Sequence, residues 1–264
     1  MTYETIVYEK EKGIATLTFN RPHVMNASND KMELVEMPAA VEEAKSDDDV
    51  KVLIVTGAGR GFHAGDDVKQ TFLAEDRDKV RAERKLAGLK GVSKPSYFGG
   101  FHKPTIAAIN GPAVGGGLDI ALSCDIRLAS ENAKFGYFFV RRGLIGRAEP
   151  LMMLIHIVGV SRALEMMLSG ELISAAEAER VGLVNTVVPQ ERLMDEAKEL
   201  AFKLMKGAPL AQQAIKRAVY EALFNPSGLI GFLSLVRHTL GETEDHKEGA
   251  RAFSEKREPV FRGK

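Results

Sequence analysis

Two glycine-bearing turns hold the residues of this chain best suited to chemistry. The first, "VTGAGRGFHAGDDVK", sets His63, Ala64, Asp66 and Asp67 around Gly65, and the second, "NGPAVGGGLD", puts Asp119 two residues behind three consecutive glycines, Gly115 to Gly117. Glycine there serves a tight turn, a close backbone approach or simple helix packing. A glycine turn that opens a helix also leaves N–H groups unpaired at the positive end of the helix dipole. Two such turns aimed at one oxygen would cradle the negative charge that develops on a reacting carbonyl; two tight turns without a ligand fit the same spacing. Neither stretch carries the dinucleotide fingerprint or the glycine and lysine of a phosphate loop. Asp119 then reads as a proton carrier or as a helix-capping acid. His63 reads as a base titrating near neutral pH or as a turn-stabilising side chain, and Asp67 as an acid that fastens its loop through backbone hydrogen bonds.

A further acid, Glu149, follows "FGYFFVRRGLIGRA". It is a candidate for proton transfer, or a partner for Arg141, Arg142 or Arg147, or an acid at a helix start. The histidines are scattered and Cys124 is the only cysteine, so the sequence proposes no metal site, no intrachain disulfide and a reducing, cytoplasmic setting. Lys plus Arg and Asp plus Glu are both 36, which gives no reason to expect a nucleic acid or an anionic membrane as partner. The apolar runs fall short of the roughly 18 residues that a membrane span needs.

The elements that must position these groups alternate. "ETIVYEK" and "GIATLTFNR" read as a hairpin about "EKG". A helical stretch, "MNASNDKMELVEMPAAVEEAKSD", then leads to the buried strand in "DDDVKVLIVTGAG", the grammar of a crossover in a layered α/β fold. "KPTIAAINGPAVGGGLDIALSCDIRLAS" repeats it as strand, glycine turn, helix and strand. "AKFGYFF" reads as a short strand and "EPLMMLIHIVGVSRALEMMLSG" as helical. Beyond Pro189 and Gln190 helix formers dominate, dividing the chain into a core over residues 1–190 and a helical region over 191–264 that covers the core or packs on a neighbouring subunit. "SGLIGFLSLVRH" is apolar on too many faces for a solvated helix and reads as core, interface or a wall against an apolar ligand.

Taken together, "FNRPHVMNASN", "VLIVTGAGRGFHAGDDVK", "KPTIAAINGPAVGGGLDIALSCDIRLASENAKFG", "SRALEMMLSGELISAAEAERVGLVNTVVP" and "EGARAFSEKREPVFRGK" resemble the crotonase, or enoyl-CoA hydratase and isomerase, superfamily, in its usual order and over nearly the whole chain. The resemblance implies an α/β spiral of ββα repeats with a helical C-terminal trimerisation region, assembled as a homotrimer or a homohexamer. It implies an acyl-CoA substrate, with coenzyme A entering as part of the substrate and no separate cofactor. The thioester carbonyl would sit between the backbone amides of Asp66 and Gly116. Ala64, Lys69 and Lys256, the last with Arg257 beside it, would contact the CoA portion.

In hydratases of this family two glutamates share the activation of water and the protonation of the α carbon. Asp119 stands at the position of the first. The second belongs three residues after Gly136, where this chain has Phe139, which transfers no proton. Some isomerases and a dehalogenase place their acid at the position of Arg147, a poor base. Glu149, two residues further on, partners Asp119 only if a shift of the loop, fixed by Pro150, brings it near, and otherwise pairs with an arginine or caps the following helix; Tyr137, Phe138 and Phe139 suit an aromatic, alicyclic or long acyl group. The expectation is an enoyl-CoA hydratase or isomerase. The alternatives are an acyl-CoA hydrolase, including one that hydrolyses a carbon–carbon bond of a cyclic β-keto thioester, and a silent acyl-CoA binder in which Asp119 forms a salt bridge.

Overall fold

The hairpin forms first along the chain because Lys12 and Gly13 both take the left-handed conformation, φ 50° and 83°, that a two-residue turn between right-twisted strands requires. It joins β1 (Ile6–Glu11) to β2 (Ile14–Phe19). In this computed structural model, which describes residues 3–71, 97, 98 and 100–264, the expected crossovers follow. A π-helical turn (Met32–Glu36) runs into α1 (Met37–Ser46), and the chain returns as β3 (Val52–Gly57). After the short α2 (Val68–Thr71) come β4 (Thr105–Ile109), β5 (Ala113–Val114), α3 (Gly116–Leu122), β6 (Ile126–Ser130) and β7 (Lys134–Gly136). Helices α4 (Ala148–Val158) and α5 (Val160–Ser169) precede β8 (Leu172–Ser174), α6 (Ala175–Arg180) and β9 (Thr186–Val188). The chain ends in α7 (Leu193–Leu204), α8 (Pro209–Phe224), α9 (Pro226–Gly241) and α10 (Glu244–Glu255).

Six strands form one sheet in the order β1-β2-β3-β4-β6-β9, antiparallel only at the hairpin, and β5-β7-β8 form a second, smaller sheet. At its centre the large sheet is buried on both faces, which is why β3 and β4 read as unbroken apolar runs. Leu53, Val55, Ala107 and Ile109 face the main core with Phe62 and Phe135, while Val52, Ile54, Ile106 and Ala108 face Leu193, Ala197 and Ala201 of α7. The packed core therefore continues past residue 190, through the first helix of the C-terminal region. Helix α8 is pinned to it by Lys216 and the Tyr220 hydroxyl, 2.8 and 3.0 Å from the Asp125 carboxylate.

Two stretches differ from expectation in physical detail. The helical run from Glu149 is broken at Gly159, whose φ of 77° ends α4 and redirects the chain into α5. The apolar α9 is no core helix: Ile230 and Leu235 are exposed, and Phe232, Leu235 and Val236 line a cavity of about 790 Å³. Among the described residues no helix is long and apolar enough to cross a membrane, and no group of three metal-ligating side chains comes together.

Candidate active site

The first glycine turn leaves the carboxyl end of β3 and is clamped by two asparagines. Asn26, fully buried, donates from Nδ2 to the carbonyls of Ala58 and Gly61 at 2.9 and 2.8 Å, and Asn110 donates to those of Gly59 and Gly61 at 2.9 and 3.2 Å. Asp67 fastens the end of the turn through a buried ion pair with Arg21 at 3.2 Å and through its N–H, which donates to the Ser28 carbonyl. His63 is no surface base. It is 1% exposed, packs edge-on against Phe19, and accepts the Gly65 N–H on Nδ1 at 3.0 Å. Burial, with the charge of Arg21 behind it, pushes its pKa down to about 3, so the ring is neutral.

The three glycines of the second turn answer three different demands. Gly115 has φ 54° and ψ −122°, a backbone state that L side chains rarely take. Gly117 lies so close to the first turn that a Cβ would stand 1.9 Å from the His63 carbonyl oxygen. At Gly116 a Cβ would meet only the Gly65 Cα and the Tyr97 hydroxyl, both at 3.5 Å, so packing alone does not exclude a side chain there. The two turns abut: a Cβ on Gly65 would lie 3.2 Å from the Gly116 nitrogen. Gly116 opens α3, and its N–H has no acceptor among the described residues.

One turn further on, Asp119 is 1% exposed. Its Oδ2 accepts the Arg147 N–H at 3.2 Å, while Oδ1 is buried with no hydrogen-bond partner among the described residues. Desolvation raises its pKa to about 7 against the opposing pull of the Arg147 N–H and guanidinium, and the charge of Asp66 adds to the rise. A carboxyl so placed gives and takes a proton near neutral pH. Around it stand Tyr137, whose hydroxyl accepts the Gly146 N–H at 2.7 Å, and Phe139, whose ring lies 4.9 Å from that of Tyr137.

The structure brings Asp66, Gly116 and Asp119 together, with half-buried Ala64 on the same turn as Asp66. It does not bring Glu149 to them. Glu149 is exposed at the start of α4 and faces the 790 Å³ cavity with Phe98, Leu122 and Met153. Lys69 is exposed on α2, just beyond Asp66, and Lys256 is exposed at the end of α10. Two residues absent from the sequence-based candidates border the site. Glu33 pairs with Arg147, and Tyr97 stacks under the Arg147 guanidinium at 3.9 Å while its hydroxyl donates to Glu33 at 3.4 Å. Glu33 had a legible signal, because it shares a buried helical stripe with Met32, Glu36 and Met37; Tyr97, in "KPSYFGG", had none.

Two glycine turns abut beside one dry carboxyl, at the end of the sheet where α/β folds commonly bind ligands. Residues 9–264 match the enoyl-CoA hydratase/isomerase family. The crotonyl-CoA hydratase of Syntrophomonas wolfei is 37% identical over 265 residues, covering 99% of both chains. The (E)-benzylidenesuccinyl-CoA hydratase of Thauera aromatica is 38% identical over 261 residues, covering 98% of this chain and 99% of its own. The crystal structure of an enoyl-CoA hydratase from Bacillus anthracis matches with a TM-score of 0.88 at 30% identity, covering 99% of this chain and all of that one. The chain belongs to the enoyl-CoA hydratase/isomerase family, has its crotonase fold, and acts on acyl-CoA.

Proposed function

We propose that this protein is an enoyl-CoA hydratase in which one carboxyl, Asp119, does the proton work of two. The observation that carries the reading is the placement of Asp119: buried behind Gly116, with one oxygen held and the other unpartnered. In this reading the thioester oxygen accepts from the Asp66 and Gly116 N–H groups. Water attacks the β carbon as its proton passes to the Asp119 carboxylate, and the electron pair of the double bond moves to the thioester as an enolate. The enolate then collapses, taking the same proton from Asp119 at the α carbon. Atoms balance as one water added, and no redox change occurs, so the reading calls for no cofactor beyond the CoA of the substrate. A pKa near 7 suits a group that is base in one half-step and acid in the next.

Lys69 and Lys256 are proposed to meet the CoA phosphates, and Ala64 its pantetheine end. The half-buried ring of Phe139 and the buried ring of Tyr137 favour an acyl group with aromatic or alicyclic bulk, consistent with the name of the Thauera relative. The exposed apolar residues Ile215, Val219, Ile230 and Phe253 of the C-terminal helices support a homotrimer or homohexamer, and the lone, buried Cys124 suits the cytoplasm. The Arg147 backbone N–H that Asp119 Oδ2 accepts supports the proton carrier over a silent binder, in which Asp119 would form a salt bridge.

Double-bond migration is the second reading, favoured because among the described residues Asp66 is the one carboxylate acting on Asp119 and one acid suffices to move one proton. The test is incubation with crotonyl-CoA and a longer 2-enoyl-CoA in deuterated water, with hydration and α-hydrogen exchange read by mass spectrometry for wild type and Asp119→Asn. Hydration with one α deuteron, lost in the variant, supports the hydratase. Exchange without hydration favours the isomerase, and wild-type turnover by Asp119→Asn refutes both.

A further inference from the structure

Glu33 and Arg147 form a nearly buried ion pair immediately beside the site, and nothing in the mechanism so far uses it. The Glu33 side chain is 6% exposed and that of Arg147 24%. Arg147 comes from a segment that otherwise has little to hold it: residues 141–145 are exposed, and Gly143 takes φ 63°. Yet this segment supplies the N–H that holds Asp119 at 3.2 Å. Among the described residues, three contacts help keep that N–H in place. The guanidinium pairs with Glu33, it stacks on the Tyr97 ring at 3.9 Å, and the preceding residue, Gly146, donates to the Tyr137 hydroxyl at 2.7 Å. Glu33 reaches inward because the π-helical turn ahead of α1 puts Met32, Glu33 and Glu36 together on its buried side.

The geometry points to Arg147 as the positioning residue of the proton-transfer machinery: clamped by Glu33 and Tyr97, it aims the Asp119 carboxyl with its backbone and biases that carboxyl's proton with its side chain. The inference rests on the reading of Asp119 as proton carrier. Among the described residues, the charged and titratable groups around Asp119 are Asp66 from the first glycine turn, Arg147 from the loop before α4, and Tyr97 and Tyr137, with Glu33 acting through Arg147. His63, behind Gly117, is neutral, and Glu149 on α4 is turned to the cavity. Arg147 is thus the one cation acting on Asp119 among the described residues, and Glu33 partly cancels it.

Two substitutions should therefore move Asp119 in opposite directions. Glu33→Gln keeps the shape but unmasks the guanidinium, which lowers the Asp119 pKa by about one pH unit. Arg147→Met keeps the backbone N–H and removes the cation, which raises it by about the same amount. A merely structural role gives a different pattern, since loosening the site lets water in and lowers the pKa in both variants. Glu33→Gln/Arg147→Met, which removes both charges, guards against an unpaired buried Glu33 preventing folding, and its Asp119 should also titrate higher than wild type.

The experiment is a titration of the ligand-free full chain by carbon-13 NMR of labelled aspartate carboxyls, with Asp119 assigned through Asp119→Asn, together with the pH dependence of kcat on a 2-enoyl-CoA. The expected result is a fall in Glu33→Gln and a rise in the variants lacking Arg147. Unmoved pKa values, or movement in one direction only, overturn the role of Arg147. Opposite movements that the kcat profile fails to follow uphold that role and refute Asp119 as the proton carrier.

Discussion

Alanine at Gly116 and at Gly117 should separate what the second turn does for the ligand from what it does for the fold. At 117 the new Cβ would stand 1.9 Å from the His63 carbonyl oxygen and 2.7 Å from its carbon, both backbone atoms that cannot swing aside. To restore ordinary contact, α3 must back away from the first turn by about 1.5 Å, at a cost of about 3 kcal/mol or more. Up to about 1 kcal/mol returns from the better helix propensity of alanine. The net loss of at least about 2 kcal/mol lowers Tm by roughly 4–8 °C in a chain of this size. At 116 the Cβ meets its nearest neighbours at 3.5 Å, an ordinary contact, so Tm stays level or rises slightly. There the methyl group occupies the cleft between the turns, and misplacing the reacting group by about 1 Å costs on the order of 100-fold in kcat/KM. Calorimetry and steady-state kinetics on both variants read the two effects. Gly116→Ala with full activity would remove the thioester from this turn, and Gly117→Ala without a fall in Tm would refute the contact on which the fold argument depends.

Three further outcomes follow from the site. Because burial raises the Asp119 pKa to about 7 from an unfolded value near 4, the folded chain holds a proton through that interval which the unfolded chain has released. The contribution of Asp119 therefore falls as pH rises from about 4 to 7, by up to about 4 kcal/mol; Asp119→Asn should gain Tm relative to wild type over that range, and a constant difference would contradict the buried, protonated carboxyl. His63, neutral in the fold, should show ring proton resonances that do not shift between about pH 5 and 8, and a midpoint near its ordinary value would mean that the ring is open to water. Glu149→Gln should keep kcat within about twofold, since the side chain is exposed and faces the cavity; a loss in the range of about 100-fold or more would return Glu149 to the chemistry.

What was legible in the sequence was what depends on neighbours along the chain. The stretch "EKG" marked the hairpin, the apolar runs of β3 and β4 marked strands buried on both faces, and the glycine turns with Asp119 behind them marked the candidate site. The turns could not reveal that Gly115, Gly116 and Gly117 differ, because two of the three reasons lie in the opposing turn, some fifty residues earlier in the chain. Glu149 looked suitable because it was the next acid along; α4 begins one residue before it, and the side chain is exposed and faces the cavity. Arg147 read as a lost acid, whereas its backbone N–H, which no sequence pattern reports, is what touches Asp119. Asn26 and Asn110 clamp the first turn through contacts that depend on tertiary closure alone.

Phe139 bears on what this chain could become. Its ring fills the space above Gly146: a Cβ there would lie 2.9 Å from the ring, 2.9 Å from the Tyr137 hydroxyl and 3.2 Å from Asp119 Oδ1. Exchanging it for glutamate, which the family resemblance implies for a hydratase at that position, would open a void under the Arg147 loop. It would also set a second carboxylate in the dry shell of the first, where each disfavours the charge of the other. The two-acid arrangement is therefore not one substitution away. Glutamate at position 139 would lose the packing of the Phe139 ring before it gained any chemistry.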